Sequence, residues 1–227
     1  MHLGLVGVGL LVWLGRRGYK HLDGLSRKKA RQAKMQANGD AGEAAVSDCL
    51  QSVLQAISEG PFCLRNSLIL NHAPGAAFPT AEVDHLVVTS FGIFVIETKH
   101  WYGTILPADN NMLLRVARDG TSEQRKNPAA QNGSKVTFLR SILPQHANAI
   151  SGVGIFSHPA VRLDMRLKSD LLCLDELAYW LRARRDGYSA ARLSPIDTGE
   201  VIRAILAHTD TSPNAIRNHK QRVAAMA

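Results

Sequence analysis

Asp84, Glu97 and Lys99 are the side chains whose types and spacing best suit chemistry in this chain. They lie between Glu82 and Lys99, where two alternating apolar runs flank Ser90-Phe91-Gly92. That pattern predicts a β-hairpin. Side chains alternate between the faces of a strand, so Asp84 shares a face with Leu86 and Val88, and Glu97 shares one with Val95 and Lys99. With the turn centred between Ser90 and Phe91, Asp84 falls opposite Glu97. Opposed Cβ atoms in an antiparallel pair stand roughly 4.5–5.5 Å apart, and carboxylates that close repel unless a cation lies between them. A slip of one residue would send Asp84 to the other face. Carboxylate oxygens suit Mg2+ or Mn2+. Such an ion activates water and stabilises charge on a phosphodiester, and the Lys99 ammonium is placed to orient that water or neutralise the phosphate.

The residues around this set narrow the reading. Asp84-His85-Leu86-Val87-Val88, then Gly92-Ile93-Phe94-Val95-Ile96-Glu97-Thr98-Lys99, then Trp101 and Gly103, resemble the NERD (nuclease-related) domain of the PD-(D/E)xK nuclease superfamily. Upstream, Gly39-Asp40-Ala41-Gly42-Glu43 opens a helical segment as in that family, and Asn127-Pro128-Ala129-Ala130-Gln131 matches its Asn-Pro-x-x-Gln element. The resemblance covers roughly Asn38 to Leu143, about half of the chain. One departure is Val83, which stands where the superfamily's motif has Pro. The resemblance implies a three-layer α/β core of restriction-endonuclease type, a central mixed β-sheet flanked by helices. It implies a metal-dependent nuclease in which Asp84 and Glu97 bind Mg2+ (or Mn2+), with the Thr98 carbonyl as a third protein ligand. Lys99 would position the attacking water, and Glu43 and Gln131 would complete the site. DNA is the favoured substrate, with RNA left open. A non-catalytic nucleic-acid-binding module is the alternative. The zinc ribbon carried by some relatives has no ligands here.

Several members carry a second reading. Glu43 continues the helical stripe of Val46, Leu50, Val53, Leu54 and Ile57, from which it can approach the end of the sheet. Equally, Asp40 and Glu43 are spaced as a capping box. Asn127 and Pro128 predict a helix start, with Gln131 one turn in, either near the active centre or on the surface. Lys135, a turn further on, is spaced for a phosphate contact. His85 points away from Asp84 and reads as structural.

The elements that must position these residues follow from the rest of the pattern. Helix Ala41–Ile57 precedes strands at Phe62–Asn71, the hairpin, Gly103–Pro107 and Met112–Arg118. A helix over Pro128–Leu143, strands near Val153–Ser157 and Asp170–Leu174, and a helix over Glu176–Arg184 capped by Asp175 come next. From Asp186 the chain reads as a peripheral helical tail, with helices over Ile196–His208 and Pro213–Met226. This order predicts three α/β layers. The organisation is an apolar helix at 1–15, a basic linker at 16–37, the nuclease-like domain at 38–185 and a C-terminal extension at 186–227.

The formal net charge of +8 favours an anionic partner, nucleic acid or anionic lipid. Between Arg16 and Lys34 eight basic residues face a single acid, Asp23. Residues 3–14 are apolar or Gly, short of the ~20 residues that span a bilayer. With Arg16-Arg17 on the C-terminal flank, a weak signal anchor would leave the remainder in the cytoplasm, held at the inner membrane through residues 3–14 and the basic 16–34 segment. Cys49, Cys63 and Cys173 are too widely spaced for a disulfide framework or a zinc site.

Overall fold

A computed structural model describes the backbone of residues 4–109 and 111–225, and the side chains of residues 30, 32–109 and 111–225. The chain divides into two compact units, Met1–Ala41 and Gly42–Ala227. Helix α1 (Gly4–Ile57) provides the described structure of the first unit and the first helix of the second. The basic stretch expected as a linker is therefore helical, and Asp40 lies inside the helix rather than at its start. The Asp40 carboxylate accepts from Gln36 Nε2 at 2.7 Å, one turn away, so the capping-box reading falls. The side chains of the 3–14 segment, of residues 16–29 and of Arg31 lie outside the described residues. Among the described residues, no helix is long and apolar enough to cross a membrane.

The second unit has the expected restriction-endonuclease-like α/β character. Strands β1 (Cys63–Leu70), β2 (Ala81–Thr89) and β3 (Gly92–Lys99) form an antiparallel meander, and β7 (Ile150–Phe156) and β9 (Leu171–Cys173) extend it in parallel beyond β3. Both faces of this sheet are covered, which is why its strands read as continuous apolar runs. On one face Val46, Leu50, Leu54 and Ile57 of α1 pack with Leu177, Trp180 and Leu181 of α4 (Leu177–Ala190) over Val87, Phe94, Ile96, Val153 and Ile155. On the other, Val136 and Leu139 of α3 (Gly133–Ile142) and Val201 and Ile205 of α5 (Thr198–Leu206) cover Leu86, Val88, Ile93, Val95 and Ile150. The segment after Asp186 is thus not peripheral: Ile196, Val201 and Ile205 are core residues.

A second sheet, in the order β6-β5-β4-β8, stands beside the first. Strands β4 (Gly103–Pro107) and β5 (Met112–Val116) match expectation; β6 (Ser122–Lys126) and β8 (Val161–Leu163) do not appear in the sequence pattern. The β6 sequence Ser-Glu-Gln-Arg-Lys has no apolar residue. It is held by backbone pairing and by Glu123, which lies opposite Arg115 and accepts from both Arg115 and Arg125.

Two glycines set how closely the helices approach the site. Gly152 and Gly154 of β7 lie on the α3 face, paired with Val95 and Glu97. A Cβ on Gly152 would stand 2.9 Å from Asn132 Cβ, and one on Gly154 would stand 2.6 Å from Pro128 Cγ and 2.8 Å from Leu171 Cδ2. Pro128 opens the short helix α2 (Pro128–Gln131), whose ring cannot swing aside. Gly154→Ala is expected to destabilise the protein by about 1–3 kcal/mol, read as a lower urea midpoint. A midpoint equal to the parent's would mean that α2 is free to shift.

Candidate active site

The β2–β3 ladder has the register that places the two acids together. Thr89 pairs with Gly92 and His85 with Ile96, and the ladder stops there, with Asp84 and Glu97 as the next positions. In place of a further backbone bond, the Thr98 N–H donates to Asp84 Oδ2 at 2.7 Å. The N–H and C=O of one strand residue point the same way, so the Thr98 carbonyl faces the same gap between β2 and β3. The next carbonyl, Lys99, faces β7 and accepts from Ser157 N at 3.1 Å. Asp84, the Thr98 carbonyl and Glu97 therefore border one opening at the carboxyl end of β3, the edge at which open α/β sheets bind ligands.

Glu97 is 6% exposed and holds two ammonium groups. Lys99 Nζ donates to its Oε1 at 2.7 Å, and Lys135 Nζ donates to its Oε2 at 2.7 Å. Burial alone would raise the Glu97 carboxyl, but Lys135 and Lys99 outweigh it and hold the carboxyl below its ordinary range. Asp84 has the opposite balance. Burial, then the Glu97 charge, push its carboxyl up to about 7 against the Thr98 N–H and the two lysines.

Lys135 is the residue that sequence reasoning placed wrongly. It is 5% exposed and is an ion-pair partner of Glu97 rather than an open phosphate contact. It is anchored through Asn132, whose Oδ1 accepts from Lys135 Nζ at 3.3 Å and whose Nδ2 donates to the carbonyls of Val95 at 3.0 Å and Val153 at 3.1 Å. Asn132 also breaks the single helix expected over Pro128–Leu143 into α2 and α3. Asn-Gly is a poor helical pair, and here the Asn side chain bonds the sheet instead of solvent. The expected N-cap at Asn127 forms, accepting from Ala129 N at 2.9 Å.

Gln131 is half-buried, and its Oε1 is buried with no hydrogen-bond partner among the described residues. Glu43 is half-buried on α1, the layer on the face opposite Glu97. Its neighbour Gly42 comes so close to the strand ends that a Cβ there would stand 2.7 Å from His100 Cβ and 2.7 Å from Ser157 Oγ. Glu43 thus sits at the correct end of the sheet but in the other layer. His85 is structural, as expected. Its Nδ1 lies 2.8 Å from Asn66 Oδ1 and its Nε2 3.1 Å from Thr98 Oγ1, while Asn66 Nδ2 donates to Ser47 Oγ at 2.8 Å. Because Asn66 Oδ1 can only accept, Nδ1 carries the proton and Nε2 accepts from the Thr98 hydroxyl. Burial, against the pull of Glu97, lowers His85 to about 4, so its imidazole is neutral and fixes Thr98 from beneath.

Residues 38–161, more than half of the chain, match the family model described as Nuclease-related domain. The chain belongs to the NERD family. No curated protein and no solved structure matches it. A nuclease-related function follows from membership, and every residue of the Asp84–Glu97–Lys99–Lys135 cluster lies inside the matched NERD segment.

The donor set suits a hard divalent ion. Two carboxylates and a carbonyl border the gap, and the Glu97 charge, which adds to burial in lifting Asp84 to about 7, is a repulsion that a cation between them relieves. Each Glu97 oxygen already accepts from a lysine, so an ion there would share this carboxylate. Among the described residues, the group of Cys, Asp and Glu within ligating distance is Cys173, Asp175 and Glu176, which includes none of the predicted site residues. It is a turn: Glu176 accepts from Cys173 N at 2.7 Å, and Glu176 rather than Asp175 stands at the N-cap of α4.

A raised Asp84 carboxyl links the site to stability. Its folded value of about 7 exceeds the ordinary 3.8, so the folded state holds a proton that the unfolded chain has released. Stability from this group is full below about pH 4 and is lost as the pH rises through about 7. Asp84→Asn retains an acceptor for Thr98 N and removes the ionisation. In EDTA at pH 8 the variant is expected to be more stable than the parent, by up to about 4 kcal/mol, with the advantage gone at pH 4. Equal unfolding midpoints at pH 8 would refute the assignment.

Proposed function

We propose that this chain is a metal-dependent nuclease that hydrolyses phosphodiester bonds, with DNA the favoured substrate. The observation that carries the reading is the shared face of Asp84, Glu97 and Lys99 at the end of β3, with the Thr98 carbonyl beside the same gap. In this reading Asp84, Glu97 and the Thr98 carbonyl hold Mg2+ or Mn2+. When bound, the ion supplies an activated water and positive charge against the phosphodiester. Lys99 orients the water for in-line attack or bonds the phosphoryl oxygens as their charge grows. Lys135 and Asn132 keep Glu97 ionised and aimed, and the His85–Thr98 bond fixes the strand from below. Gln131, whose Oε1 is buried without a partner among the described residues, and Glu43, on the α1 layer, are the further candidates to complete the site.

DNA is chosen from the family and from the net charge of +8. Residues 3–14 and the basic 16–34 segment tether the protein to the cytoplasmic face of the inner membrane, a reading supported by the apolar run and by Arg16-Arg17 after it. The second reading, a nucleic-acid-binding module without turnover, draws on the saturation of Glu97 by two lysines. One assay separates the two: the full chain on labelled single- and double-stranded DNA and RNA, with Mg2+, Mn2+ or EDTA, beside Asp84→Ala. Metal-dependent cutting that vanishes in the variant is expected. Binding without cutting in any metal would overturn the nuclease reading.

A further inference from the structure

His100, Trp101 and Tyr102 follow Lys99 directly and carry the chain from β3 into β4. Trp101 packs inward, its ring 5.5 Å from that of buried Phe156. Tyr102 is turned outward and is 46% exposed. Its Cα lies within about 11 Å of the Lys99 Cα, the longest span of three residues. The turn is tied to the end of β7. Ser157 N donates to the Lys99 carbonyl at 3.1 Å, and His100 Nδ1 lies 3.0 Å from Ser157 Oγ. Gly103 then takes a φ of +96°, which favours glycine, and a Cβ there would run into the Val116 carbonyl. Its N–H donates to the Ala160 carbonyl at 3.2 Å. Tyr102 is thus held at the same sheet edge as the Asp84–Glu97–Lys99 centre.

The Tyr102 ring is braced although much of it faces solvent. The Arg115 guanidinium lies over it, 4.1 Å from the ring centroid. Arg115 is itself pinned, because Nε donates to the Tyr102 carbonyl at 2.8 Å and Nη1 donates to Glu123. Glu123 also accepts from Arg125. The His158 ring stands tilted, 5.8 Å from that of Tyr102 and 4.8 Å from that of His100. Ala160 N donates to His158 Nδ1 at 3.0 Å, which fixes this imidazole. Arg115, Tyr102, His158 and His100 therefore form a continuous run of planar groups that leads back to Lys99. An exposed ring held in this way has already lost the rotamer freedom that binding would otherwise remove.

We infer that Tyr102, braced by Arg115 and His158, is a stacking platform for an unpaired base of the strand held at the Asp84–Glu97–Lys99 centre, and that single-stranded nucleic acid is the substrate of that centre. The inference rests on the nuclease reading and deepens it. Every base has a π-face, and aromatic rings and guanidinium planes stack on it whatever the sequence. A strand that crosses the centre passes Tyr102 within a few nucleotides, at about 3.4 Å of rise each. In a duplex the bases stack on one another and offer the protein only their edges, so the platform selects against duplex. The Arg115–Glu123–Arg125 group keeps a net positive charge beside the ring, which suits the phosphates on either side of the stacked base.

The test is equilibrium binding of the full chain, in Ca2+, to a labelled single-stranded oligonucleotide and to its duplex, for the parent, Tyr102→Ala, Tyr102→Leu and Tyr102→Trp. A 2-aminopurine moved along the single strand reports stacking as quenched fluorescence. The parent is expected to bind the single strand more tightly than the duplex and to quench at one position. Tyr102→Ala is expected to weaken single-strand binding about tenfold or more, to leave duplex binding unchanged and to abolish the quenching. Tyr102→Leu fills the place beside Arg115 without a π-face and is expected to match Tyr102→Ala. Tyr102→Trp keeps a ring and is expected to keep both affinity and quenching. Parental single-strand affinity in the Ala and Leu variants, with unfolding midpoints unchanged, would overturn the platform while leaving the nuclease reading standing. Equal losses on single strand and duplex would also overturn it, since a contact to the backbone alone does not sense whether a base is paired. A parent that neither binds nor cuts nucleic acid would remove the reading on which it rests.

Discussion

Lys135→Ala is expected to cost about 3–5 kcal/mol of stability, a larger loss than truncation of Lys99 should cause. The reason is burial. The Lys135 and Glu97 side chains are both 7% exposed, and their 2.7 Å ion pair sits between α3 and β3, with Asn132 completing the ammonium's contacts. Removing one partner of a buried pair strands the other in a poorly solvated place. Lys99 alone must then hold the Glu97 carboxylate. The loss depends on pH in a defined sense. In the parent, Glu97 ionises below its ordinary value, so its contribution is present above about pH 4.5 and is lost as the pH falls through the lower folded value. In Lys135→Ala the folded carboxyl titrates higher, so the gap between parent and variant should narrow on acidification. Urea midpoints at pH 7 and pH 4 measure both effects. A variant within 1 kcal/mol of the parent at pH 7 would show that the pair does not hold α3 to the sheet.

That Lys135 takes this role explains where sequence reading succeeds and where it stops. The hairpin register was legible because a short turn fixes the pairing, and the shared face of Asp84, Glu97 and Lys99 then follows from parity. Asn127-Pro128 was legible because a cap and a proline act locally. Lys135 was not, because a lysine on a helix reads as solvated unless its partner is known, and that partner lies on β3. Its place beside Val136 on the buried stripe was the available sign. Gly152 and Gly154 look like loose strand residues until Asn132 and Pro128 are laid against them. Gly39-Asp40 imitates a helix start although α1 runs through it, since a cap motif does not reveal whether the preceding residues are already helical. Strand β6 and the core role of α5 were hidden for related reasons. One has no apolar residue to report, and the other's apolar stripe does not say what it covers.

Lys99→Ala should separate chemistry from stability. Of the two lysines on Glu97, Lys99 is the more open, with a side chain 21% exposed against 7% for Lys135. It lies at the last residue of β3, beside the gap bordered by Asp84 and the Thr98 carbonyl, and can reach a substrate that Lys135 cannot. Removing it leaves Glu97 with its buried partner, so the fold should lose no more than about 1 kcal/mol, as for a partly exposed pair. The rate should fall much further. A single preorganised donor to a developing oxyanion contributes roughly 10²–10³-fold, and a lysine that also orients the water adds to that, so a fall of about 10³-fold or more in kcat is expected. Mg2+ affinity should hold or rise, because a competing positive charge has left the Glu97 carboxylate. Calorimetry of Mg2+ binding, a urea midpoint and a single-turnover cleavage rate on one preparation read all three quantities. A Lys99→Ala protein that cleaves within threefold of the parent would end the assignment, and one that loses Mg2+ binding together with activity would make Lys99 a support for the metal ligands instead. The contrast with Lys135→Ala is the sharper test. If Glu97 holds both lysines for different purposes, Lys135→Ala should lose far more stability than rate in its folded fraction, and Lys99→Ala the reverse.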